Sequence, residues 1–308
     1  MEVIKHIDEY KGIEPVYLAL GNFDGVHLGH QKLLKSLVTK AKRNGYKPAA
    51  FIFEPHPNKV LTPDKAPRLL VTSERKAKLL KKLGIELLIY TPFTREIAKC
   101  SPYDFVENIL VKKFKVKEVF IGFNYSFGYK GVGNSQLLSD LGKEFGFRVN
   151  VTLPVKIEDK VVSSSLIRKA LENGDINLAI KMLGYLPVLE GQVIKGEQRG
   201  SQIGFPTANI NINPEVNLPA NGVYAAKAVI ENKRYNCVVN IGRKPTFHDD
   251  YPTSVEAHII DFNQNLYDKF ITLCFIDKIR NEKRFNGINE LIAQIEKDRQ
   301  KALELINV

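Results

Sequence analysis

Two hydrophobic patterns alternate over the first 185 residues of the chain. Short, nearly continuous apolar runs, such as VYLALGNF at 16–23, are typical of buried strands. Between them, apolar side chains recur at helical spacing, as at 30–45, where Asn44 and Gly45 predict the helix end. This alternation predicts a parallel, doubly wound α/β sheet. The predicted strands are 16–23, 47–57, 85–93, 117–123 and 147–155, and the predicted helices are 30–45, 73–84, 101–114, 134–146 and 163–174.

The pattern changes near Leu186 and Pro187. From 188 to about 279 the chain carries short apolar runs with frequent breaks, which are typical of an antiparallel β-sandwich or β-barrel. The tail at 288–306 predicts an amphipathic helix that packs against this sheet. Its apolar face comprises Ile288, Leu291, Ile292, Ile295 and Ala302. The sequence therefore predicts two domains, residues 1–185 and 186–308.

Composition is typical of a soluble globular protein, with 44% hydrophobic and 26% charged residues among 308. No apolar run approaches the roughly 18 to 20 residues of a membrane helix. The N-terminal stretch lacks the apolar region of a signal peptide. Three widely separated cysteines disfavour a disulfide framework or a zinc site and favour a reducing compartment. We therefore expect a cytoplasmic protein without a membrane partner.

The net charge of +11 keeps nucleic acid open as a partner. However, the lysines are dispersed or lie on helical patterns such as 73–84, which favours a solvated helix face. The chain has no identifiable RNP-type aromatic motif, KH loop or helix-turn-helix pattern. We expect no nucleic-acid partner, and nucleic-acid binding remains the alternative from another functional class.

The segment GNFDGVHLGH at 21–30 follows the first predicted strand, at the edge where parallel sheets bind ligands. Gly21 permits a sharp turn, and Gly29 permits close approach of the backbone to a phosphate. The helix predicted to begin near His30 points its N-terminal amides at the same place. His27 and His30 can both reach one anion and carry charge that develops in a transition state. A zinc site is disfavoured because no third ligand is nearby.

Two further segments carry polar residues suited to phosphate. In VSSSLIR at 162–168, serine hydroxyls can serve a helix N-terminus, and Arg168 can hold phosphates through two parallel hydrogen bonds. An ordinary capped helix is the alternative. In the stretch 191–210, Gly196, Gly200 and Gly204 predict a flexible flap that can fold over phosphates. This flap is not a Walker P-loop, because no G-K-[ST] follows the glycines.

Together, G-x-F-D-G-V-H-x-G-H, S-S-S-x-x-R, P-T-A-N and a downstream glutamate resemble the prokaryotic bifunctional riboflavin kinase/FAD synthetase family. The resemblance covers nearly the whole chain. It implies a Rossmann-like α/β nucleotidylyltransferase domain that adenylylates FMN with ATP to FAD and pyrophosphate. It also implies an antiparallel β-barrel riboflavin kinase domain with a C-terminal helix, which phosphorylates riboflavin with ATP to FMN.

The resemblance implies site residues in the first domain. The expected catalytic residues are His27, His30 and Arg168, and the expected ATP contacts are Gly21, Phe23, Asp24, Gly29, Ser164 and Ser165. The segments FEPHP at 53–57 and GFNYSFG at 122–128 resemble parts of the flavin site. The expected flavin contacts are Pro55, Pro57, Arg68, Asn124 and Phe127, with the two prolines holding their segment extended.

For the second domain, Glu256 in SVEAHIIDF is the expected general base for the riboflavin 5′-hydroxyl. Thr207 and Asn209 are expected to bind Mg²⁺, a hard cation suited to oxygen ligands. Lys195 and Gly196 are expected to contact ATP, and Arg199 flavin. One departure is 265–268, which reads NLYD where the family pattern predicts a glycine at the last position, so the local turn is in doubt.

The expected cofactor is Mg²⁺, with ATP as co-substrate and riboflavin and FMN as the other small-molecule partners. We expect a monomer or a weak homo-oligomer. Two alternatives stay open besides nucleic-acid binding. Only one of the two activities is functional, or the chain binds flavin as a regulator without turnover.

Overall fold

The computed structural model describes residues 1–12, 14–196, 200, 203–242 and 253–307. The chain divides into two compact units. The first comprises Met1–Arg68 and Thr72–Ser163, and the second comprises Leu69–Val71 and Ser164–Val308. No helix among the described residues has the length and apolar character needed to cross a lipid bilayer.

In the described residues of the first unit, six parallel strands form one sheet in the order β1-β4-β3-β2-β5-β6. The prediction of a parallel, doubly wound sheet is confirmed. Because β2 pairs with both β3 and β5, the strand order reverses beside β2, where ligands bind in such sheets. The strands are β1 (Glu2–Ile4), β2 (Val16–Leu20), β3 (Lys47–Phe53), β4 (Leu87–Thr91), β5 (Glu118–Gly122) and β6 (Arg148–Thr152).

Helices cover both faces of this sheet. Leu18 and Leu20 of β2 contribute to one hydrophobic cluster, and Tyr17 and Ala19 contribute to another on the opposite face. The helices are α1 (Leu28–Asn44), α2 (Pro57–Leu61), α3 (Ser73–Lys82), α4 (Arg95–Ala98), α5 (Pro102–Asp104), its π-helical continuation (Phe105–Lys113) and α6 (Ser135–Phe145). A small hairpin, β7 (Lys156–Ile157) and β8 (Lys160–Val161), follows β6.

Helix α1 ends where the sequence predicts. Gly45 adopts the left-handed conformation with φ 72°, and its N–H donates to the carbonyls of Ala41 and Lys42. Asn44 is the last helical residue. The N-terminal boundary differs slightly from the prediction, because the helix begins at Leu28 rather than near His30.

The structure corrects the prediction for the segment after β3. The segment is not extended throughout, because α2 begins at Pro57. His56 caps this helix by accepting a hydrogen bond from the Asn58 N–H, and proline suits the first helical position because its missing N–H would have no helical partner.

Six strands of the second unit, all within the described residues, close into an antiparallel barrel in the order β10-β13-β12-β11-β14-β9. Pairing of β9 with β10 completes the closure, so the barrel is confirmed over the sandwich. The strands are β9 (Val188–Ile194), β10 (Ala208–Ile212), β11 (Gly222–Ile230), β12 (Lys233–Gly242), β13 (Ser254–Ile259) and β14 (Phe270–Arg280).

Three helices accompany this barrel in the described residues: α7 (Ser164–Glu172), α8 (Ile176–Leu183) and α9 (Ile288–Ile306). Helix α8 was not predicted, although Asp175 caps its start and Gly184 ends it in the left-handed conformation. The bounds of α9 match the prediction, and Ala302 and Ile306 pack in the core beside the barrel. Ile288 differs from the prediction: it is 57% exposed, and the buried positions, Asp298, Ala302 and Ile306, lie in the C-terminal half of the helix.

Candidate active sites

The turn between β2 and α1 has an unusual backbone. Phe23 and Val26 adopt positive φ values of 48° and 37°, which non-glycine residues rarely do, and Gly25 between them has a φ of 73°. Such conformations cost about 1–3 kcal/mol each and persist where the surroundings fix them. Phe23 and Asp24 are both buried, so packing holds this turn in place. The histidine pair begins at the residue that directly follows this turn.

His27 and His30 are brought together by the start of α1. His27 is the N-cap residue, and its Nδ1 accepts a hydrogen bond of 3.3 Å from the backbone N–H of His30. The two rings are stacked with centroids 3.6 Å apart, and the Phe23 ring meets His30 edge-on at 5.3 Å. A Cβ built on Gly29 would lie only 3.1 Å from Cε1 of His27, so a glycine leaves room for this ring. The structure thus places Gly29, His27 and His30 in one cluster.

Burial makes both histidines poor bases. It lowers the pKa of His27 to about 4, although a backbone hydrogen bond acts in the opposite direction. Burial also lowers the pKa of His30 well below its ordinary value, and the charges of His27 and Lys76 add to this effect. Both rings are therefore neutral at pH 7. Nδ1 of His30 is buried without a hydrogen-bond partner in the described part of the chain, so its hydrogen-bonding capacity is unused.

The burial of Lys76 contradicts the prediction of a solvated lysine face for 73–84. The sequence predicts a solvated lysine face, but Lys76 is only 7% exposed. It shares the buried face of α3 with Leu80, one turn later, and α3 packs against the Asp24–Val26 turn. Burial lowers the pKa of Lys76, and the negative charges of Asp24 and Glu54 oppose that shift. The signal that could have found Lys76 is its position on the apolar face of the helix.

The predicted flavin segments follow the two strands that flank β2. Pro55 and Arg68 are exposed, and Pro57 is the first residue of α2. Asn124 is exposed just after β5. Phe127 lies in the core, with its ring 5.7 Å from Phe105 and 5.9 Å from Tyr125. The loops after β2, β3 and β5 therefore leave the sheet at the same edge, while a flavin role for these residues stays a prediction.

The serine-rich segment lies in the second compact unit. Ser164 begins α7, Ser165 is exposed in its first turn, and Arg168 follows one turn later and is partly buried. The predicted helix entry through serines is confirmed. Phosphate contacts for these three residues stay predictions.

Three polar residues stand side by side on neighbouring barrel strands. Glu256 of β13 is paired with Asn209 of β10 on one side and with Asn240 of β12 on the other. The neighbours of Glu256 in β13, Val255 and Ala257, are buried, so Glu256 belongs to the more exposed face. The register thus brings Asn209 and Glu256, two expected residues of the kinase site, side by side. Asn240 has no individual role among the predicted site residues, although buried Val239 and Ile241 on either side of it give the same alternation.

Two glycines before β10, Gly196 and Gly200, lie close to the predicted magnesium ligands. A methyl group on Gly196 would overlap the side-chain amide of Asn209, and one on Gly200 would lie 3.3 Å from Oγ1 of Thr207. Lys195 is exposed next to Gly196. The predicted flavin contact Arg199 lies outside the described residues.

The oxygen atoms of Thr207 and Asn209 suit Mg²⁺ better than a softer metal. Within the described residues, no cluster of three or more His, Cys, Asp or Glu side chains could hold a metal ion. Mg²⁺ does not require such a cluster, since it commonly keeps several waters and binds through substrate phosphates and one or two protein oxygens. The hydroxyl and amide oxygens, with the Glu256 carboxylate on the neighbouring strand, fit that requirement.

Comparison with known proteins separates the chain into two matched regions. A family model described as FAD synthetase matches residues 10–166, and one described as riboflavin kinase matches residues 183–306. A crystal structure described as a macrolide-efflux protein from Streptococcus pneumoniae is similar with a TM-score of 0.88 and 28% identity, covering 97% of each chain.

Several relatives carry the name bifunctional riboflavin kinase/FMN adenylyltransferase, and two of them illustrate the similarity. The one from Bacillus subtilis (strain 168) is 41% identical over 291 residues, which cover 93% of this chain and 91% of the relative. The one from Listeria monocytogenes is 40% identical over 297 residues, which cover 95% of this chain and 93% of the relative. Both matched regions and both relatives agree with the resemblance that the motifs carry. The chain therefore belongs to the bifunctional riboflavin kinase/FMN adenylyltransferase family.

Proposed function

We propose that this chain converts riboflavin to FMN and then FMN to FAD, with ATP as the donor in both steps. We assign FMN adenylyltransfer to residues 1–185 and the riboflavin kinase to residues 186–308. The observation that supports the proposal is the presence of two separate clusters of polar residues on two different folds. One surrounds His27 and His30 at the edge of a parallel sheet, and the other surrounds Asn209 and Glu256 on a closed barrel.

In adenylyl transfer, a phosphate oxygen of FMN attacks the α-phosphorus of ATP. A new P–O bond forms, the bond between the α-phosphorus and the bridging oxygen breaks, and pyrophosphate leaves with both electrons of that bond. No covalent enzyme intermediate is needed. The protein contributes positioning and charge stabilisation.

The neutral histidine pair suits this reaction as a hydrogen-bond donor. Each neutral imidazole has one N–H that can donate to the phosphate oxygens, which gain charge in the transition state. The first-turn amides of α1 add a positive end of a helix dipole. Arg168, Ser164 and Ser165 are proposed to bind ATP phosphates. Gly21, Phe23, Asp24 and Gly29 are proposed to form the turn that receives ATP.

The flavin is proposed to lie over the loops after β3 and β5. Pro55, Pro57, Arg68, Asn124 and Phe127 are the proposed contacts. Among these, Pro55, Arg68 and Asn124 are exposed and accessible to a ligand. Phe127 would act through the shape of the loop, because its ring is packed in the core.

In the kinase reaction, Glu256 takes the proton from the 5′-hydroxyl of riboflavin. The oxygen attacks the γ-phosphorus of ATP, and the bond to ADP breaks. Thr207 and Asn209 would hold Mg²⁺ together with the ATP phosphates, and the ion supplies neutralisation of phosphate charge. Lys195 and Gly196 are proposed to contact ATP from the flap, and Arg199 to contact flavin.

We further propose that the protein works in the cytoplasm, as a monomer or weak homo-oligomer, with no nucleic-acid or membrane partner. Free thiols at Cys100, Cys237 and Cys274 support a reducing compartment. Burial raises the pKa of the Cys237 thiol, so this residue is an inert part of the barrel core.

The test is incubation of the purified chain with riboflavin, ATP and Mg²⁺, followed by chromatographic separation of the flavins over time. We expect FMN to appear first and FAD second, and chelation of Mg²⁺ to stop the kinase step. His30→Ala is expected to stop at FMN. Glu256→Ala is expected to make FAD only when FMN is supplied.

Other outcomes select the alternatives. If only one of the two reactions takes place, the chain is an enzyme with one activity. Flavin binding without conversion, unchanged in Glu256→Ala, would indicate a flavin-binding regulator. Retention on heparin or nucleic acid without any flavin fluorescence change would favour a nucleic-acid-binding protein.

A further inference from the structure

Strand β13 carries a second polar side chain on the same face as Glu256. Within Ser254–Ile259, the side chains of Val255, Ala257 and Ile259 are buried. Side chains alternate between the two faces of a strand, so His258 and Glu256 lie on the other face, two residues apart. His258 is partly exposed and is paired in the ladder with Val238 of β12.

His258 contacts the two residues that directly precede Thr207. Its Nδ1 lies 2.9 Å from the carbonyl oxygen of Pro206. Its ring meets the Phe205 ring edge-on, with centroids 5.5 Å apart and an interplanar angle of 71°. A carbonyl oxygen can only accept, so the hydrogen bond requires that Nδ1 carry the hydrogen.

The hydrogen bond stands where the β-ladder stops. Strand β10 is paired with β13 through Ala208 and Asn209. Pro206, just before the strand, has no N–H and cannot donate to a continued ladder. The imidazole of His258 supplies a donor to the Pro206 carbonyl, and its ring packs against Phe205. A side chain of β13 thereby tethers the segment that the backbone of β13 no longer holds.

We propose that His258 is a positioning residue of the kinase site. It holds the Phe205–Thr207 segment against β13. The Thr207 hydroxyl thereby keeps a constant position relative to Glu256, which lies on β13 as His258 does. The role rests on the proposed function of Thr207 and Glu256 in the kinase reaction. His258 itself contacts neither substrate nor the reacting atoms in this assignment.

Loss of the tether is expected to act on one of the two activities. A misplacement of about 1 Å near a reacting group can lower a rate by on the order of 100-fold. In His258→Ala we expect the kinase kcat/KM for MgATP to fall about 10- to 100-fold, mainly through a higher KM for MgATP. FMN adenylyltransfer by the same chain should stay within about twofold of wild type, because its proposed groups lie outside the barrel.

Two further variants separate the hydrogen bond from the ring contact. His258→Asn retains an amide N–H donor close to the position of Nδ1, and we expect it to restore most of the kinase kcat/KM. His258→Phe retains an aromatic ring beside Phe205 but has no donor, and we expect it to remain impaired.

The experiment measures kcat and KM for both reactions, together with the thermal midpoint, for wild type, the three His258 variants and Glu256→Ala. An inactive wild-type kinase, or an active Glu256→Ala, would overturn the proposed function and this assignment with it. Wild-type kinase parameters in His258→Ala, beside an inactive Glu256→Ala, would overturn the positioning role alone. An equal fall of both activities that His258→Asn does not restore would also overturn it.

Discussion

The imidazole rings of His27 and His30 are stacked, with centroids 3.6 Å apart and planes 17° from parallel. Two positive rings at this separation would repel each other, and burial already opposes the charging of either ring. The pair is therefore neutral near pH 7. Each neutral ring can therefore donate a hydrogen bond to a phosphate without carrying a charge of its own.

Protein stability should consequently fall as the pH drops from about 6.5 towards 4. Over this window an unfolded histidine takes up a proton that the buried His27, with its pKa of about 4, does not. The unfolded state then binds more protons, so the free energy of unfolding decreases as the pH falls. For His27 alone the full window corresponds to roughly 3 kcal/mol.

Urea unfolding at pH 7.5 and pH 5 measures this effect. His27→Asn keeps a good helix N-cap and removes the titrating ring, so the difference between the two pH values should shrink. His6→Asn removes an exposed imidazole and should leave the difference as in wild type. If His27→Asn shows the wild-type difference, the buried pair is not the source of the pH dependence.

Lys76 should matter for adenylyl transfer, because it is a buried basic group beside the histidine pair. Lys76→Met keeps much of the side-chain volume but leaves the charges of Asp24 and Glu54 without this partner. We expect FMN adenylyltransfer to fall by about tenfold or more, since fixed charges around a phosphoryl group often contribute that much. The kinase activity of the same chain should remain.

The matched control for Lys76→Met is Lys78→Met, which removes an exposed lysine two residues later in α3. Both activities of Lys78→Met should equal those of wild type. The kinetics of the two reactions and the thermal midpoint are measured for both variants. Equal adenylyltransfer rates in Lys76→Met and Lys78→Met would show that the buried ammonium has no part in the reaction.

Local signals explain why much of the fold could be predicted. Gly45 ends α1 by adopting a left-handed φ, and the amphipathic pattern at 288–306 matches α9. The location of the loops that carry the predicted site residues could also be predicted, since parallel strands place their carboxyl ends at one edge of the sheet. Closure of the barrel could not be derived from the strand pattern, because it depends on the long-range pairing of β9 with β10.

Some residue types occur in two different environments, and the predictions that were wrong or missed concern such positions. Lys76 and Lys78 lie on one helix, but only Lys76 shares the buried face with Leu80, and α3 packs against the turn at Asp24–Val26, whereas Lys78 is exposed. Asp268 gives a converse example. It replaces an expected glycine, yet the turn forms, with Asp268 at φ 64° and the Lys269 N–H donating to the Leu266 carbonyl.

Gly196→Ala should impair the kinase through Asn209. An added methyl group would overlap the Asn209 amide, so either the flap or the amide must shift. We expect the kinase kcat/KM for MgATP to fall by at least about tenfold, because Asn209 is a proposed magnesium ligand. Adenylyltransfer should not change.

The matched control for Gly196→Ala is Gly287→Ala, at a glycine of the same unit where an added Cβ meets nothing within 4 Å. Its kinase parameters should equal those of wild type. The comparison uses MgATP titrations at saturating riboflavin. A wild-type KM for MgATP in Gly196→Ala would mean that the flap accommodates the methyl group without moving Asn209.

The Arg280–Asp298 pair should be the main electrostatic support between α9 and the barrel. Arg280 Nη2 donates to Asp298 Oδ2 at 2.7 Å, its Nε donates to both carboxylate oxygens, and Gln294 donates to Oδ1 at 2.9 Å. Asp298 is 3% exposed, so Asp298→Asn leaves a partly buried guanidinium without its counter-charge. We expect a loss of about 3 kcal/mol in the free energy of unfolding of the second unit.

The exposed pair between Arg299 and Asp261 provides the comparison on the same helix. Their closest atoms are 3.3 Å apart, and the Asp261 side chain is 83% exposed. Asp261→Asn should therefore change stability by less than about 1 kcal/mol, and asparagine tolerates the positive φ of 55° at this position. Calorimetric unfolding of both variants tests the difference. Equal midpoints for the two variants would show that burial adds nothing to the Arg280–Asp298 pair. A lower midpoint for Asp298→Asn alone would show that the Arg280–Asp298 pair stabilises the packing of α9 against the barrel.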